Sequence, residues 1–367
     1  MTVPLNDTCK TWSARYTLRS HFDTVRCIAF HPVEPILLTA SEDATLKMWN
    51  LQQPQSPPTP MSPGSASVSP QSQRAASGDS PGSSTSSNGK KQAQHELEPT
   101  HTFRGHSGPI LCMCISPTGE YAYTGGLEGI VRCWTLPPVN VDLYDPYDPS
   151  LLVDTLRGHT DAVWSVAFHS SDNRLISASS DGTLKLWEPG SAHPLSKTYV
   201  ANDSEGVPTS VDFVSTDPQQ AIAAFSSSNA FIYDLEIGKS VLNFENNYGS
   251  CGRINQLISH PTLPITITAH EDRRIRFFDN NTGKTIDSVL AHLDSVSCLA
   301  IDPNGLYLLS GSHDSSLRLW NLDSKSCIQE ITAHRRKFDE SVMAVAFHPS
   351  RPYIASGGTD GCAKVFV

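Results

Sequence analysis

The length, composition and charge of the chain set the first limits. The sequence has 367 residues, of which 38% are hydrophobic and 17% are charged, below the ~25% charged that is usual. This length allows a large hydrophobic core, and closed β architectures of this size often form one unit. The formal net charge of −10 disfavours binding to nucleic acid or to an anionic membrane surface.

Membrane insertion and secretion are not indicated. No run approaches the ~20 apolar residues of a transmembrane helix, and residues 1–10 lack the apolar core of a signal peptide. The nine cysteines are scattered singly apart from Cys112 and Cys114, which predicts neither a disulfide framework nor a metal site. We expect a cytoplasmic protein with reduced thiols and no cofactor.

The first predicted element is a strand at residues 11–20. Trp12, Ala14, Tyr16 and Leu18 alternate there with polar residues, as in a strand with one buried face. The chain ends directly after another strand-like segment, at residues 363–367. We therefore expect the N-terminal strand to complete the last unit of the fold, which removes two open sheet edges.

A low-complexity segment follows at residues 52–100. Pro, Ser and Gly occupy 24 of its 49 positions, and it has no aromatic residue. Such a segment buries too little apolar surface to offset its ordering entropy, so we predict a disordered insert. Its five Ser-Pro or Thr-Pro pairs are candidate phosphorylation sites and residues 54–63 a candidate PxxP ligand, while a passive linker is the alternative.

The remainder of the chain repeats one unit seven times, with a period of about 45 residues. Each unit contains short runs of β-branched and aromatic residues, bounded by turn residues, which predict strands. In six copies an acid precedes an aromatic residue by six positions, and the seventh keeps Tyr233 without the acid. The pairs are Asp43 with Trp49, Glu128 with Trp134, Asp181 with Trp187, Asp272 with Phe278, Asp314 with Trp320, and Asp360 with Phe366.

A histidine stands upstream of the acid at a fixed distance. The spacing is 22 residues for His21, His106, His159 and His292, and 26 residues for His334. This pattern resembles the WD-repeat family of β-propellers, which implies one all-β, seven-bladed propeller over residues 1–367. The family's blades carry a hydrogen-bonded tetrad of His, Ser or Thr, Asp and Trp. The hydroxyl candidates are Thr39 or Ser41, Ser177 or Ser179, and Ser310 or Ser312.

Stretches outside the repeat pattern resemble the striatin family. They are residues 19–52, YDPYDPS (144–150), residues 258–284, and AHRRKF (333–338). The resemblance implies the C-terminal propeller of a scaffold and regulatory subunit of protein phosphatase 2A, which assembles phosphatase, Ste20-like kinases and Mob-type proteins (the STRIPAK complex).

The same resemblance bears on localisation and on regulation. The family's coiled coil and its caveolin-binding and calmodulin-binding segments precede the propeller, and this sequence shows neither heptads nor a basic amphipathic helix. We expect membrane association only through such N-terminal segments, and a monomeric isolated propeller.

An enzymatic function is not indicated. The sequence has no Walker loop, no Gly-x-Gly-x-x-Gly, no His-Glu-x-x-His and no Cys/His cluster. A Ser-His-Asp triad repeated in several blades makes little sense for catalysis, and no Gly-x-Ser-x-Gly elbow is present. We expect a scaffold for protein partners, with a ubiquitin-ligase substrate receptor of the same architecture as the alternative.

Candidate partner-binding residues follow from the repeat register. One row of residues enters the first strand of each copy, and a second row precedes the turn acid. In WD-repeat propellers both rows face the same mouth, and Trp and Arg are frequent interface anchors. For Trp164 the alternative is packing under a neighbouring loop, and residues 144–149 are a second candidate. The predicted partner-binding residues are Arg26, Leu111, Trp164, His313 and Met343.

Overall fold

The fold is a seven-bladed β-propeller, as predicted. The computed structural model describes residues 11–52, 95–138, 148–169, 171–201, 205–245, 252–337 and 339–367. Their strands form seven sheets, six with four strands and one with five. Most of the predicted insert (53–94) and most of the second candidate loop (144–147) lie outside the described residues.

Twenty-nine strands and one short helix make up the described secondary structure. The strands up to the middle of the chain are β1 (Ala14–Arg19), β2 (Val25–Phe30), β3 (Ile36–Ser41), β4 (Thr45–Asn50), β5 (His95–Leu97), β6 (His101–Arg104), β7 (Ile110–Ile115), β8 (Tyr121–Gly126), β9 (Ile130–Thr135), β10 (Leu152–Arg157), β11 (Val163–Phe168), β12 (Leu175–Ser179), β13 (Thr183–Trp187) and β14 (Leu195–Val200). A 3₁₀ helix at Pro149–Leu151 precedes β10.

The second half of the chain continues the same pattern. Its strands are β15 (Pro208–Phe213), β16 (Gln220–Phe225), β17 (Ala230–Asp234), β18 (Lys239–Asn243), β19 (Ile254–Ser259), β20 (Ile265–His270), β21 (Arg274–Asp279), β22 (Thr285–Leu290), β23 (Val296–Ile301), β24 (Tyr307–Ser312), β25 (Ser316–Asn321), β26 (Ser326–Thr332), β27 (Val342–Phe347), β28 (Ile354–Gly358) and β29 (Cys362–Phe366).

The strands are ordered from the central channel outward in each blade. Blade one is β2-β3-β4-β6, and blade two is β7-β8-β9-β10. Blades three to six take four consecutive strands each, beginning with β11, β15, β19 and β23. Blade seven is β27-β28-β29-β1-β5. All neighbours pair antiparallel except β5, which pairs parallel with β1.

The N-terminal strand closes the ring, as predicted. β1 pairs antiparallel with β29, with Tyr16 opposite Val365 and Leu18 opposite Ala363. Tyr16 and Leu18 are 3% and 1% exposed and belong to an apolar cluster that joins blades seven and one. The first and last segments of the described chain therefore share one hydrophobic core.

The end of the predicted insert differs from the sequence prediction. Residues 95–97 form β5 on the outer side of β1, and Thr100 donates through its N–H and its hydroxyl to the Met48 carbonyl. Disorder was thus the wrong prediction for residues 95–100. The prediction rested on the composition of the whole segment, in which the single apolar residue Leu97 has little weight. Leu97 packs against the cluster shared by blades seven and one.

The hydrophobic core lies between neighbouring blades. One cluster, for example, joins Leu186 and Tyr199 of blade three to Phe213 and Phe225 of blade four. Burial of apolar area at about 25 cal/mol per Å² makes these interfaces the main stabilising contribution to the fold. The tryptophans at the predicted tetrad positions are all buried in such clusters: Trp49, Trp134, Trp187 and Trp320.

Candidate functional site

The predicted tetrad is a directed chain of hydrogen bonds, seen most simply in blade three. An indole N–H can only donate, so Trp187 Nε1 donates to Ser177 Oγ at 2.8 Å. Ser177 in turn donates to His159 Nε2 at 2.7 Å, and His159 Nδ1 donates to Asp181 Oδ2 at 2.8 Å. The chain fixes one neutral tautomer of the histidine.

The same arrangement is present in blades one, two and six. The tetrad hydroxyls are Thr39, Thr124 and Ser310 there, and Glu128 replaces the aspartate in blade two. The tetrad acids and histidines are Asp43 with His21, Glu128 with His106, and Asp314 with His292. Blade seven keeps His334, Ser356 and Asp360, with Phe366 at the tryptophan position.

Trp320 completes the tetrad of blade six, but it is packed less completely than its counterparts. Its Nε1 donates to Ser310 Oγ at 2.9 Å. The Trp320 side chain is 7% exposed, whereas the tryptophans of blades one, two and three are at most 1% exposed. A small apolar cavity beside Trp320, lined also by Phe277 and Leu322, accounts for this difference. The hydrogen bond is thus the same in all four blades, while the packing of the indole is not.

The alternative hydroxyls have a different role. Ser41, Ser179 and Ser312 each accept from the backbone N–H of the turn aspartate and donate to a carbonyl of the loop that follows the tetrad histidine. Blades one, three and six therefore use two hydroxyls each, one for the histidine and one for the turn, whereas blades two and seven have Gly126 and Gly358 at the second position. The sequence left this choice open because both residues lie on the same face of one strand.

Burial sets the protonation states of the tetrad. It lowers the pKa of His106 to about 4 and also lowers the pKa of His159, which keeps both rings neutral. Burial alone would raise the pKa of Asp43, but hydrogen bonds from His21 and Thr45 outweigh it and lower the pKa. Ser177 is fully buried, so a substrate has no access to its hydroxyl. The geometry is that of a structural element.

The tetrad acids also accept hydrogen bonds from two residues that the sequence analysis does not single out. Asp43 Oδ2 accepts the N–H of Phe22 at 3.0 Å, and Asp314 Oδ2 accepts that of Leu293 at 3.0 Å. Phe22 and Leu293 are nevertheless 92% and 78% exposed. The signal for them in the sequence is an apolar residue directly after the tetrad histidine.

Blades four and five stabilise their turns in other ways. In blade four the Tyr233 hydroxyl donates to the buried carboxylate of Glu205 at 3.1 Å. In blade five the buried guanidinium of Arg276 pairs with Asp272, and burial together with this positive charge lowers the pKa of His270 to about 3. Spacing from the turn acid cannot reveal Glu205, because blade four has no turn acid from which to count.

The five predicted partner-binding residues line one central cavity. The inner strands of the seven blades surround a space of about 620 Å³, and Arg26, Leu111, Trp164, His313 and Met343 all contribute to its wall. Of the second predicted row, Glu42 pairs with Arg26, and the Ser180 hydroxyl accepts from Trp164 Nε1.

A β-bulge explains how the first row reaches the cavity. In every inner strand the pairing register shifts between the first and third residues, which leaves the second residue unpaired. A bulge of this kind re-aims the side chain of the extra residue. The seven bulge residues are Arg26, Leu111, Trp164, Thr209, Asn255, Ser297 and Met343.

The bulge residues divide the channel mouth into two parts. In blades four to six they are polar and donate to the backbone of the next blade: Thr209 to the Ile254 carbonyl, Asn255 to that of Val296, and Ser297 to that of Val342. In blades one and two a cysteine makes this link, Cys27 to the Leu111 carbonyl and Cys112 to that of Val163.

The bulge residues of blades seven, one, two and three are Met343, Arg26, Leu111 and Trp164. Arg26 and Trp164 form their side-chain hydrogen bonds within their own blades. These four neighbouring blades therefore present large side chains at the cavity, and we call this set of four residues the mouth arc.

A metal centre and a membrane-spanning helix are both absent from the part of the chain that the structure describes. That part contains no cluster of three or more His, Cys, Asp or Glu side chains that could hold a metal ion. It also contains no helix long and apolar enough to cross a membrane. Burial raises the pKa of the Cys27 thiol to about 12, which keeps this channel cysteine in its unreactive protonated form.

Comparison with known proteins identifies the class of this chain. The sequence model of the WD domain, G-beta repeat family matches residues 12–50, 97–135, 150–188, 283–321 and 325–366, more than half of the chain. The chain belongs to this WD-repeat family. The crystal structure of the WD40 beta propeller domain of Doa1 has the same fold, with a TM-score of 0.72 at 19% identity over 97% of each chain.

Striatins are among the known proteins that are similar to this chain. Striatin-3 of Bos taurus is 50% identical, Striatin of Mus musculus 51% and Striatin-4 of Mus musculus 48%, each over 98% of this chain. The predicted resemblance to the striatin family is confirmed. The chain spans 41% to 43% of the length of these relatives.

Proposed function

We propose that this propeller is a non-catalytic scaffold that binds protein partners through the mouth arc. The observation that carries the proposal is the division of the mouth. Blades four to six use their bulge residues to join neighbouring blades, whereas Met343, Arg26, Leu111 and Trp164 face the cavity. The small polar bulge residues of blades four to six show that folding requires no large side chain at this position. The large side chains of the mouth arc therefore indicate a binding role.

The similarity to striatins supports a finer proposal. The partners are components of an assembly of protein phosphatase 2A, Ste20-like kinases and Mob-type proteins, located in the cytoplasm. The relatives are more than twice as long as this chain, so the propeller is proposed to contribute one contact surface of that assembly.

A pull-down of purified phosphatase, kinase and Mob-type components, and in parallel of purified cullin-type subunits, with the whole chain and its Trp164→Ala variant tests the proposal. Truncating a true interface anchor typically costs about 2 kcal/mol or more, roughly thirtyfold in affinity. We therefore expect Trp164→Ala to bind a phosphatase, kinase or Mob-type component about thirtyfold more weakly, while its thermal unfolding stays cooperative.

Two control variants separate binding from folding. Asp181→Ala removes tetrad and turn bonds in the same blade and should lower the stability by about 1–2 kcal/mol with little effect on binding at low temperature. Leu263→Ala removes an exposed apolar side chain in the turn between β19 and β20 and should change neither the stability nor the binding. Unchanged binding by Trp164→Ala, or capture of cullin-type subunits in place of the phosphatase assembly, contradicts the proposal.

A further inference from the structure

The residue directly after each tetrad histidine lies in a loop that leads into an inner strand at the channel mouth. In blades one, three, six and seven the backbone N–H of this residue donates to the tetrad aspartate at 3.0–3.2 Å. In blade two the Ser107 hydroxyl donates to Glu128 at 2.8 Å. The backbone is thus fixed in the same way in four blades, and only the side chain differs between them. The four residues are Phe22, Thr160, Leu293 and Arg335.

Three neighbouring blades carry large side chains at this position. Blades six, seven and one have Leu293, Arg335 and Phe22, whereas blades two and three have Ser107 and Thr160. Leu293 is 78% exposed, Phe22 is 92% exposed, and Arg335 is exposed between them in the ring. Since serine and threonine suffice for the turn in two blades, folding does not require the large apolar side chains.

The loop of blade seven joins these side chains into one surface. The spacing from its tetrad histidine to its acid is 26 residues instead of 22. Arg336 of this loop pairs with Asp294 of blade six at 2.8 Å, and Lys337 pairs with Asp23 of blade one at 3.2 Å. Both aspartates directly follow the exposed apolar residues of their loops. We call Phe22, Leu293, Arg335, Arg336 and Lys337 the blade six–one surface.

This surface requires little ordering when a ligand binds. The tetrad acids fix the backbone of Phe22, Leu293 and Arg335, and the two ion pairs connect the loop of blade seven to both of its neighbours. Covering an exposed apolar side chain stabilises a complex by about 25 cal/mol per Å². A partner that covers Phe22 and Leu293 gains this energy with little entropic cost from the loops.

Arg335 is the cation that this surface offers to a ligand. Arg336 and Lys337 are paired with aspartates, whereas the Arg335 guanidinium has no acidic partner among the residues that the structure describes. A guanidinium binds a carboxylate through two parallel hydrogen bonds. The place of Arg335 between Leu293 and Phe22 therefore favours a carboxylate that is flanked by apolar groups.

The charge balance favours a protein partner over an anionic membrane. Three acids, Asp23, Asp294 and Asp339, each lie within 3.6 Å of Arg336 or Lys337. These acids offset the three cations of the surface, and anionic lipids attract surfaces with an excess of Lys and Arg. A single carboxylate of a peptide, by contrast, needs only one accessible guanidinium.

We propose that the blade six–one surface binds a segment of a partner protein in which an acidic residue lies between two apolar residues. The carboxylate pairs with Arg335, and the apolar side chains pack on Leu293 and Phe22. None of these residues belongs to the mouth arc, so this proposal does not depend on the function proposed for the mouth arc.

Selection from a phage-displayed library of random dodecapeptides tests this surface. The immobilised whole chain is the target, and a chain with both Phe22→Ser and Leu293→Ser is the counter-target. We expect enriched peptides to share an Asp or Glu flanked by apolar residues. By fluorescence polarisation they should bind the double variant, and also Arg335→Gln, at least about tenfold more weakly than the parent. Because the three side chains are exposed, both variants should melt within about 2 °C of the parent.

A charge exchange tests the role of Arg335 directly. Arg335→Glu should also lose at least about tenfold in affinity for the enriched peptides. The same peptides with Lys in place of the acidic residue should bind Arg335→Glu at least about fivefold more tightly than they bind the parent. No such exchange is expected if Arg335 only supports the loop.

Three matched variants should bind the peptides within about twofold of the parent. Thr160→Ala changes the equivalent position of blade three, Ile237→Ser changes a 65% exposed apolar residue of blade four, and Trp164→Ala changes the mouth arc. Any of four results overturns the proposal: no enriched peptide, undiminished binding by the double variant and Arg335→Gln, loss of binding by Trp164→Ala, or sedimentation with phosphatidylserine vesicles that requires Phe22 and Leu293. Unchanged capture of assembly components by Trp164→Ala would contradict only the mouth-arc proposal.

Discussion

At the scale of single residues, the tetrad explains why a histidine can be buried without a charge. The direction of each hydrogen bond follows from the tryptophan, which can only donate. The tetrad serine or threonine therefore both accepts and donates. The acid accepts hydrogen bonds from the histidine Nδ1–H and from backbone N–H groups of the adjoining loop. One hydroxyl oxygen thus satisfies two buried side chains.

Replacing the shared hydroxyl should accordingly be costly. Ser177→Ala leaves both Trp187 Nε1 and His159 Nε2 buried without a partner, at about 1–3 kcal/mol for each unsatisfied group. We expect a loss of about 2–4 kcal/mol in the free energy of unfolding, measured by urea denaturation. Ser196→Ala is the control, because the exposed Ser196 hydroxyl donates to the Glu188 carboxylate. This variant should change the free energy of unfolding by less than about 0.5 kcal/mol. Equal effects of the two variants would contradict the role assigned to Ser177.

The buried histidines should make the propeller sensitive to mild acid. Burial lowers the pKa of His106 from 6.5 to about 4, so between these values the unfolded chain binds more protons than the folded chain. Stability must therefore fall as the pH falls through this range. The lowered pKa values of Asp43 and Asp314 add a further loss below their ordinary value of 3.8.

We expect the melting temperature to be nearly constant above pH 7 and to fall by several degrees between pH 6.5 and pH 4. Calorimetry at a series of pH values and constant ionic strength measures this profile. A melting temperature that stays constant from pH 7 to pH 4.5 would show that histidine burial contributes little to the pH dependence.

At the scale of elements, the strands of blade seven show how the edge of the last strand, β29, is covered. β1 supplies the fourth strand of blade seven, and β5 adds a fifth strand on its outer side. The inner strands, by contrast, are irregularly paired. Each of their bulges interrupts the pairing and turns one side chain toward the cavity. Regular pairing thus stabilises the outer strands, and the bulges of the inner strands place the side chains that line the mouth.

Removal of residues 1–20 tests the contribution of β1. The deletion exposes the edge of β29 and removes the buried side chains of Tyr16 and Leu18. We expect a lower melting temperature together with dimers or larger aggregates, because an open strand edge pairs with other chains. Size-exclusion chromatography with light scattering and thermal unfolding measure both effects. Removal of residues 1–10, which retains β1, is the matched control, and identical behaviour of the two truncated chains would refute closure by β1.

At the scale of the whole molecule, side-chain hydrogen bonds join the inner strands of successive blades. Ser165 accepts from the Val211 N–H, Ser210 accepts from the Leu257 N–H, and Gln256 accepts from the Leu299 N–H. These bonds add to the apolar clusters between blades. A ring built in this way presents the mouth arc as a rigid surface on one face.

The Pro/Ser-rich segment should contribute little to the stability of this ring. Its composition predicts disorder for residues 53–94, and loop-closure entropy changes by only about 0.6 kcal/mol for each doubling of loop length. We expect a Gly/Ser connector of half the length in place of residues 53–94 to change the melting temperature by no more than about 2 °C. Differential scanning calorimetry measures this, and a larger loss would show that the segment packs against the folded part.

The sequence by itself determined the repeat, the number of blades and the closure by the N-terminal strand. Fixed spacing is visible in one dimension, because the residues equivalent to His159, Asp181 and Trp187 recur at the same positions in blades one, two, three and six, where they hold the turn. The register also placed Trp164 correctly at the cavity wall. Local patterns of this kind need no knowledge of distant contacts.

Only the tertiary structure decided which parts of this pattern differ between blades. It assigned the tetrad role to Ser177 and not to Ser179, and it ordered residues 95–100 against blades one and seven. It also left Trp320 less completely packed than the other tetrad tryptophans. These outcomes depend on partners that are far away in sequence, such as the carbonyl or strand edge that a neighbouring blade offers. A residue's spacing defines its place in a blade, but contacts across the interface between blades define what its side chain can do.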